Sequence, residues 1–248
     1  LQKFVLVILC MVFARSAAMA FNRYIDRKFD GKNPRTLVRE IPAGKISPTS
    51  ALIFTIVCSI AFVVCTNYIN RMCFYLSPVA LIVVLGYSYT KRFTPLCHLI
   101  LGLGLSLAPI GAYIALTERF EMLPISFSII VFFWVSGFDI IFALQDDEFD
   151  RSQGLKSIPV LLGRKNALLL SRSLHFIAAV MVILIYIFSH FGWLYIIGAL
   201  AFIALLIYQH ILVKPNDLSK VNLAFGTTNG IASVVFCIFV CSDILLRS

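Results

Sequence analysis

Apolar runs of about 20 residues recur along the whole chain and leave little room for any other kind of segment. A helix needs roughly 20 apolar residues to cross the hydrocarbon core of a bilayer. Hydrophobic residues make up 60% of the 248 positions and charged residues 13%, which excludes an ordinary soluble globular chain. We therefore predict an all-α, polytopic membrane bundle. Its eight spans are predicted at about residues 1–21, 51–69, 74–89, 96–116, 123–145, 168–188, 191–212 and 221–245.

The connections between these runs differ in charge. Those at 22–50, 90–95, 146–167 and 213–220 carry fifteen Lys and Arg residues, whereas the connections on the opposite side carry three. Lys and Arg are enriched on the cytoplasmic side of membrane proteins, so we expect the basic connections to face the cytoplasm. The net charge of +9 is spread over these connections without a dense basic arm. That distribution favours membrane lipid or phosphate over nucleic acid as the partner.

The first run resembles a secretory signal, because small residues follow its apolar stretch. Arg15 just before those small residues, and the polar motif directly after them, argue against cleavage, and we predict a spanning helix instead. The alternation of the connections places Leu1 on the outer side, so we expect one more helix before it. The prediction is a single integral-membrane domain, residues 1–248, truncated at its N-terminus.

Carboxylates concentrate at the predicted cytoplasmic ends of two spans. Asn22, Asp26 and Asp30 recur every fourth residue, so in a helix they share one face. Asp146 and Asp150 repeat that spacing after the fifth run. Mg²⁺ prefers oxygen ligands and commonly bridges carboxylates to phosphates. The pattern predicts a joint site for Mg²⁺ and a diphosphate, and the alternative is a pair of solvated loops. Basic residues flank both motifs: Arg23, Arg27, Lys28, Lys32 and Arg35 at the first, Arg151 and Lys156 at the second.

Four more polar residues are candidates for the same site. Tyr87 and Lys91 lie one helical turn apart at the end of the third run, where a phenol and an ammonium group can reach one phosphate. The alternative for this pair is an interfacial anchor. Arg15 and Asp139 each lie seven residues before one of the acidic motifs, about two turns deeper in the membrane. Charges at that depth mark a function or a mutual ion pair, and both interpretations stay open.

Three motifs together resemble the signature of the UbiA superfamily of intramembrane aromatic prenyltransferases. They are Asn22-x-x-x-Asp26-x-x-x-Asp30, Tyr87-x-x-x-Lys91 and Asp146-x-x-x-Asp150. The resemblance covers essentially the whole chain, and residues 137–146 and 154–159 are similar to bacterial 4-hydroxybenzoate polyprenyltransferases and their relatives. It implies nine membrane helices around a central cavity with cytoplasmic cap loops, of which this chain holds eight. It also implies residence in the bacterial cytoplasmic (inner) membrane.

The resemblance implies a reaction as well: transfer of a polyprenyl group from polyprenyl diphosphate to the ring of a small aromatic acid such as 4-hydroxybenzoate, in quinone biosynthesis. The cofactor implied is Mg²⁺, and its ligands are Asn22, Asp26, Asp30, Asp146 and Asp150. The catalytic residues implied are Asp26, Asp30, Asp139, Asp146 and Asp150. The substrate-binding residues implied are Asn22 and Lys156, together with Arg27, Arg35, Tyr87 and Lys91 as contacts of the diphosphate. Arg15 and Asp139 are candidates for orienting the acceptor. Arg23 departs from the family pattern, in which many members carry Asp at that position, so the metal stoichiometry stays open.

Other functions fit parts of the pattern. The acceptor is 1,4-dihydroxy-6-naphthoate in relatives on another route to menaquinone, and the sequence does not choose between the two acceptors. A transporter also uses charges inside the membrane, but tends to place them near the midplane and on broken helices. A phosphatidyl-group transferase would need an Asp-Gly-x-x-Ala-Arg pattern, which this sequence lacks. Neither the oligomeric state nor the prenyl chain length has a signal in the sequence.

Overall fold

The computed structural model describes residues 1–247, and this part of the chain folds almost entirely into α-helices. Eight of its helical segments are long and apolar enough to cross a membrane, which confirms the predicted helical bundle. The helices are α1 (Gln2–Asp30), α2 (Pro48–Ile69), α3 (Arg71–Thr90), α4 (Cys97–Thr117), α5 (Met122–Ala143), α6 (Asp147–Ser152), α7 (Ile158–Phe188), α8 (Trp193–Leu212) and α9 (Asn229–Arg247).

Helix α1 continues well beyond its apolar part. Its 29 residues span about 44 Å at 1.5 Å per residue, which exceeds the ~30 Å hydrocarbon core. The polar end of the helix, from Asn22 to Asp30, therefore has length to spare for projecting out of the hydrocarbon. The helix ends at Asp30, and residues 31–47 follow as a series of turns, as the Pro and Gly residues of this connection predict.

Side-chain caps define where several helices begin. The Ser47 side chain accepts a hydrogen bond from the Ser50 N–H at the start of α2, and Asn70 accepts from the Cys73 N–H at the start of α3. The amide of Asn70 also donates to the Ile114 carbonyl, 2.9 Å away on α4. Such caps satisfy backbone N–H groups that have no partner within the helix. The Asn70 side chain thereby also fixes the N-terminal end of α3 against the C-terminal end of α4.

The predicted long connection at 146–167 is wrong in extent. The short helix α6 occupies its first part, and α7 begins at Ile158, capped by Ser157 with Pro159 in its first turn. Only residues 153–157 separate the two helices. Gly163 interrupts α7 with φ 73° and ψ 163°, a conformation open almost only to glycine. The Gly and Pro residues, which predict a connection that is irregular or broken into short helices, mark here a kink in α7 and the start of that helix.

Helix α5 lies at the centre of the packing, between α4 and α7. At Gly102 of α4 an added Cβ would overlap the Ser136 side chain and come within 2.7 Å of the Phe132 carbonyl. At Gly137 of α5 an added Cβ would overlap the His175 ring of α7. Small residues at such contacts let helix backbones approach closely in membranes. These two contacts hold α4, α5 and α7 at short separations.

Buried polar groups join the later helices. The Trp134 indole and the Gln209 amide both donate to the Asn229 side-chain oxygen, at 2.9 Å and 2.6 Å. His175 and His210 contact each other at 3.0 Å through Nδ1 and Nε2, and the other nitrogen of His175 donates to the Trp134 carbonyl. Hydrogen bonds among polar side chains tie helices together in lipid. The π-helical segment Leu223–Thr228, which precedes α9 inside the last predicted span, packs against this network.

Candidate active site

The first acidic motif occupies one face at the end of α1. The Asn22 amide donates to the Asp26 carboxylate at 3.1 Å, so the predicted i, i+4 stacking of these side chains is confirmed. Asp26 also lies 3.7 Å from the guanidinium of Arg92, which follows α3. Asp30, only 5% exposed, pairs at 2.7 Å with Arg39 from the connection after α1. Two separate connections thus supply a positive charge to this motif.

The second motif lies where α5 gives way to α6. Asp146 ends a single 3₁₀ turn, Leu144–Asp146, and is 8% exposed. The Asn33 amide donates to its Oδ1 at 2.9 Å, and Arg35 binds both of its oxygens, with Nε at 2.9 Å from Oδ1. A paired geometry of this kind is among the strongest that a guanidinium makes. Since Asn33 and Arg35 follow directly after α1, these contacts bring the two motifs together.

Lys91 lies between the motifs. Its ammonium is 2.7 Å from Asp150, which is 1% exposed on α6. Its charge also interacts electrostatically with Asp146 of the second motif and with Asp26 of the first. Burial lowers the pKa of Lys91, but the charge of Asp150 and the hydrogen bond to it outweigh burial and leave the pKa above its usual value. Lys91 is therefore a fixed positive charge at neutral pH.

Each of the four motif aspartates has one cationic partner of its own. The pairs are Asp26 with Arg92, Asp30 with Arg39, Asp146 with Arg35, and Asp150 with Lys91. Within residues 1–247, no three His, Cys, Asp or Glu side chains form a ready-made metal cluster. The site instead holds carboxylates and cations in equal number.

Among residues 1–247, two buried carboxylate oxygens have neither a hydrogen-bond partner nor an ion pair, one in each motif. They are Oδ2 of Asp30 and Oδ1 of Asp150, while the second oxygen of Asp150 has only the Lys91 ammonium beside it. A buried oxygen without a partner is costly unless a ligand completes its contacts. Hard cations such as Mg²⁺ take carboxylate oxygens of this kind. The donor set therefore fits the magnesium that the sequence motifs imply.

Asp139, Tyr87 and Arg15 are the remaining candidates from the sequence, and they lie within α5, α3 and α1. Asp139 of α5 contacts His98 of α4 at 2.6 Å. The Tyr87 phenol is close enough to interact electrostatically with both Asp139 and Asp26. Arg15 is exposed on the same side of α1 as Asn22 and forms no ion pair with any described residue. The alternative of a mutual Arg15–Asp139 ion pair is therefore wrong.

Two predicted diphosphate contacts lie away from the carboxylates. The Arg27 guanidinium donates to the Tyr24 carbonyl and lies 4.3 Å from the Tyr24 ring centroid. It lines a cavity of about 500 Å³ between α1 and the end of α3. The Lys156 ammonium donates to the Phe93 carbonyl at 3.2 Å, and the Lys156 backbone N–H donates to the Lys91 carbonyl. Lys156 thus ties the connection after α6 to the one after α3.

Four residues of the site were not singled out from the sequence. Asn33, Arg39 and Arg92 each pair with a motif aspartate, and His98 pairs with Asp139. Asn33 lies three residues beyond the first motif, which is a weak signal. Arg39 and Arg92 look like any basic residue of a cytoplasmic connection, and His98 has no metal-ligand spacing. Only the packing of the helices assigns these residues to the site.

Known proteins resemble this chain in sequence over most of its length. The sequence profile of the UbiA prenyltransferase family matches residues 1–236. A 4-hydroxybenzoate octaprenyltransferase from Aliivibrio fischeri is 30% identical, and the match covers 98% of this chain and 84% of that protein. The enzyme of the same name from Aeromonas hydrophila is also 30% identical, with 90% and 77% covered.

Solved structures match the fold. A UbiA homolog from Aeropyrum pernix, in its apo form, superposes with a TM-score of 0.90 at 28% identity, covering 98% of this chain and 90% of that one. A UbiA homolog from Archaeoglobus fulgidus, solved with GPP and Mg²⁺, has a TM-score of 0.75 at 24% identity, with 98% and 88% covered. The chain therefore belongs to the UbiA prenyltransferase family and is a multi-pass membrane prenyltransferase.

Proposed function

We propose that this enzyme transfers a polyprenyl group from polyprenyl diphosphate to a ring carbon of 4-hydroxybenzoate, with Mg²⁺, in quinone biosynthesis. The two relatives named 4-hydroxybenzoate octaprenyltransferase support this acceptor and donor. The fifteen Lys and Arg residues of the connections at 22–50, 90–95, 146–167 and 213–220 support a site that opens on the cytoplasmic side of the bacterial inner membrane.

The observation that carries the proposal is the pairing of four aspartates with four cations. A ligand made of metal ions and a polyanion can replace all four pairs at once, since the metal takes the carboxylates and the phosphates take the guanidinium and ammonium groups. Arg35, Arg39, Lys91 and Arg92 would then contact the diphosphate. The carboxylates released by this exchange are those of Asp26, Asp30, Asp146 and Asp150.

The metal ligands in this proposal are Asn22, Asp26, Asp30, Asp146 and Asp150. When bound, Mg²⁺ supplies positive charge that offsets the negative charge developing on the diphosphate as its bond to the prenyl carbon breaks. The Lys91 ammonium, which Asp150 holds in place before the substrate binds, would contribute a second positive charge for the same purpose. Departure of the diphosphate at this site would leave the prenyl group as an electrophilic cation.

An aromatic cluster adjoins the second motif. The Phe142 and Phe225 rings lie 4.1 Å apart, Phe138 lies 5.5 Å from Phe225, and the Arg35 guanidinium lies 5.2 Å from the Phe142 centroid. Aromatic faces attract cations, and Arg35 already uses one of them in this way. The same rings can stabilise a prenyl cation without reacting with it. In this proposal the cation then bonds to the acceptor ring, which loses a proton from the same carbon.

The acceptor is proposed to lie near Asp139 and Tyr87, below the carboxylate motifs. Asp139 is partly exposed, and the phenol of Tyr87 is within electrostatic reach of it. A carboxylate at this depth accepts a hydrogen bond from a ring hydroxyl, while Arg15 on α1 is free to bind the acceptor carboxylate. The hydroxyl and the carboxylate of one aromatic acid would then be recognised by two different helices.

The test is an assay with purified enzyme in lipid nanodiscs. Radiolabelled farnesyl diphosphate is supplied with 4-hydroxybenzoate or with 1,4-dihydroxy-6-naphthoate, in Mg²⁺ or in EDTA. We expect prenylated 4-hydroxybenzoate only with Mg²⁺, and no product from Asp146→Ala even though that variant inserts and folds. Product from the naphthoate alone would mean that the acceptor is 1,4-dihydroxy-6-naphthoate and not 4-hydroxybenzoate. Absence of product from both acceptors, or formation of product in EDTA, would contradict the proposed function.

A further inference from the structure

The pair formed by His98 and Asp139 links two helices beneath the carboxylate motifs. His98 lies in the first turn of α4 and is 3% exposed, and its Nδ1 is 2.6 Å from Oδ2 of Asp139 on α5. The ring makes a second contact on its other side, where the Ile158 backbone N–H at the start of α7 points at Nε2 over 3.4 Å. Three helices therefore meet at one imidazole.

The two contacts determine which ring nitrogen carries the proton. The Ile158 N–H can only donate, so Nε2 of His98 accepts and carries no proton. Nδ1 is then the protonated nitrogen, and it donates to the Asp139 carboxylate. A second proton on the ring would place the Nε2–H group against the Ile158 N–H. This contact geometry favours the tautomer with the proton on Nδ1, in which the imidazole donates one hydrogen bond to Asp139.

The surrounding backbone holds this geometry in place. Gly102 lies one turn after His98, and Ser136 lies almost one turn before Asp139. Gly102 and Ser136 belong to the close contact between α4 and α5 described above. On the α7 side, Ser157 caps the helix just before Ile158, and its neighbour Lys156 is tied to Lys91 through the backbone. The imidazole is therefore fixed from both sides.

We propose that His98 is a positioning residue for the aromatic acceptor. Its Nδ1–H holds one oxygen of Asp139 and so leaves the other oxygen, which has no hydrogen-bond partner among the described residues, to receive the hydroxyl of the acceptor. A neutral donor suits this purpose, because it orients the carboxylate without neutralising its charge. The inference rests on the proposed function, since it assumes an acceptor with a ring hydroxyl. His98 itself does not contact the prenyl group or the diphosphate in this proposal.

Three substitutions of His98 separate the contact made by Nδ1 from the contact made by Nε2. In His98→Asn the side-chain amide replaces Nδ1 and keeps a donor for Asp139. In His98→Gln the side-chain oxygen replaces Nε2 and keeps the contact with Ile158, but no donor points at Asp139. His98→Phe removes both contacts while retaining a ring. A purely structural role for His98 would make all three variants lose activity in proportion to their loss of thermal stability.

The experiment measures kcat and the KM of each substrate for the wild type and the three variants in nanodiscs, together with the thermal stability of each. We expect His98→Phe and His98→Gln to lower kcat/KM for 4-hydroxybenzoate by about 10- to 100-fold, the value of one hydrogen bond to a charged group. The KM for farnesyl diphosphate should stay within about twofold, and His98→Asn should recover most of the lost activity. Wild-type kinetics in His98→Phe, or no recovery in His98→Asn, would overturn the inference.

A second measurement does not depend on the reaction. In protein labelled with ¹⁵N-histidine, the imidazole signal that is missing from His98→Asn belongs to His98. We expect this signal to show a protonated Nδ1 and an unprotonated Nε2 at neutral pH. A doubly protonated ring, or the opposite tautomer, would overturn the inference even if the enzyme prenylates 4-hydroxybenzoate. If the tautomer is as expected and the wild type makes no aromatic product, the proposed function fails and the geometry of the pair stands.

Discussion

Lys91 shows at the scale of a single residue how the site is kept ready for a polyanion. Its ammonium pairs with a fully buried carboxylate and acts electrostatically on one aspartate of each motif. A lysine in this position is held by its neighbours before any substrate arrives. In the proposed reaction, a phosphate that displaces Asp150 from Lys91 would meet a charge whose desolvation and ordering have already occurred on folding.

Removal of this charge should impair both folding and transfer. In Lys91→Met the buried Asp150 carboxylate loses its only cationic partner, which should destabilise the protein by about 1–3 kcal/mol. Prenyl transfer should fall by about 100-fold or more, since a fixed donor to the leaving group is lost. Thermal unfolding and the nanodisc assay measure the two effects. The matched control is Lys45→Met in the exposed connection after α1, which should change neither quantity; equal activity of the two variants would contradict this role.

The pKa of Lys91 also predicts a pH dependence. Because the pKa in the folded protein is raised above the usual value of 10.5, the stabilisation by Lys91 is fully present below that value and is lost only as the pH rises through the raised pKa. The difference in melting temperature between wild type and Lys91→Met should therefore be constant from about pH 6 to about pH 9. A difference that disappears within this range would show that Lys91 is not the charged partner of Asp150.

At the scale of helices, the contact between α4 and α5 sets the position of the deeper site. The backbones meet at Gly102, where an added Cβ would come within 2.7 Å of the Phe132 carbonyl oxygen. That oxygen belongs to helix backbone and cannot move away as the end of a flexible side chain would. The separation of α4 and α5 in turn sets the 2.6 Å contact between His98 and Asp139, about one turn away.

Gly102→Ala should therefore destabilise the protein by about 1–3 kcal/mol through overpacking, which for a chain of this size lowers the melting temperature by about 2–12 °C. The control is Gly111→Ala on the same helix, where nothing lies within 4 Å of an added Cβ. That variant should be neutral or slightly more stable. The reactivity of the buried cysteines with a maleimide dye reports unfolding on heating. Equal melting temperatures for the two variants would mean that α4 and α5 do not meet at Gly102.

The helices differ in how far they can be predicted from the sequence. The apolar length of its first 21 residues predicts that α1 is a helix. The recurrence of Asn22, Asp26 and Asp30 at every fourth residue predicts that the helix continues to Asp30. The start of α7 does not, because Pro159 and Gly163 are typical of loops as well as of helix starts and kinks. Local sequence cannot distinguish these cases, since the choice depends on whether residues 158–167 have a neighbouring helix to pack against.

The residues of the site also differ in how far they can be predicted from the sequence. Asp26, Asp30, Asp146 and Asp150 stand out because carboxylates are rare in so apolar a chain and recur with helical spacing. Their partners Arg39 and Arg92 lie in connections where basic residues are expected for reasons of topology alone. Nor does the sequence tell that His98 meets Asp139, since 41 residues separate them. Partners that come from different helices depend on packing, which local patterns do not encode.

At the scale of the whole molecule, α1 and α5 bring their C-terminal ends to one place. Asn33 and Arg35 reach Asp146 across more than a hundred residues of sequence, and Lys91 joins the two motifs from a third helix. The convergence concentrates four carboxylates and four cations at one end of the bundle. An enzyme that breaks the bond between a prenyl carbon and its diphosphate next to a membrane needs such a site, because charge in the hydrocarbon itself is costly.

Binding of Mn²⁺ in place of Mg²⁺ tests this convergence most directly. Electron paramagnetic resonance counts the Mn²⁺ bound by the enzyme in nanodiscs with an unreactive prenyl thiolodiphosphate. If both motifs hold one metal–diphosphate group, Asp26→Asn and Asp146→Asn should each weaken Mn²⁺ binding by about tenfold or more. Asp217→Asn, which changes an exposed loop carboxylate paired with Ser219, should bind as the wild type does. Wild-type Mn²⁺ binding in either motif variant would contradict a shared site.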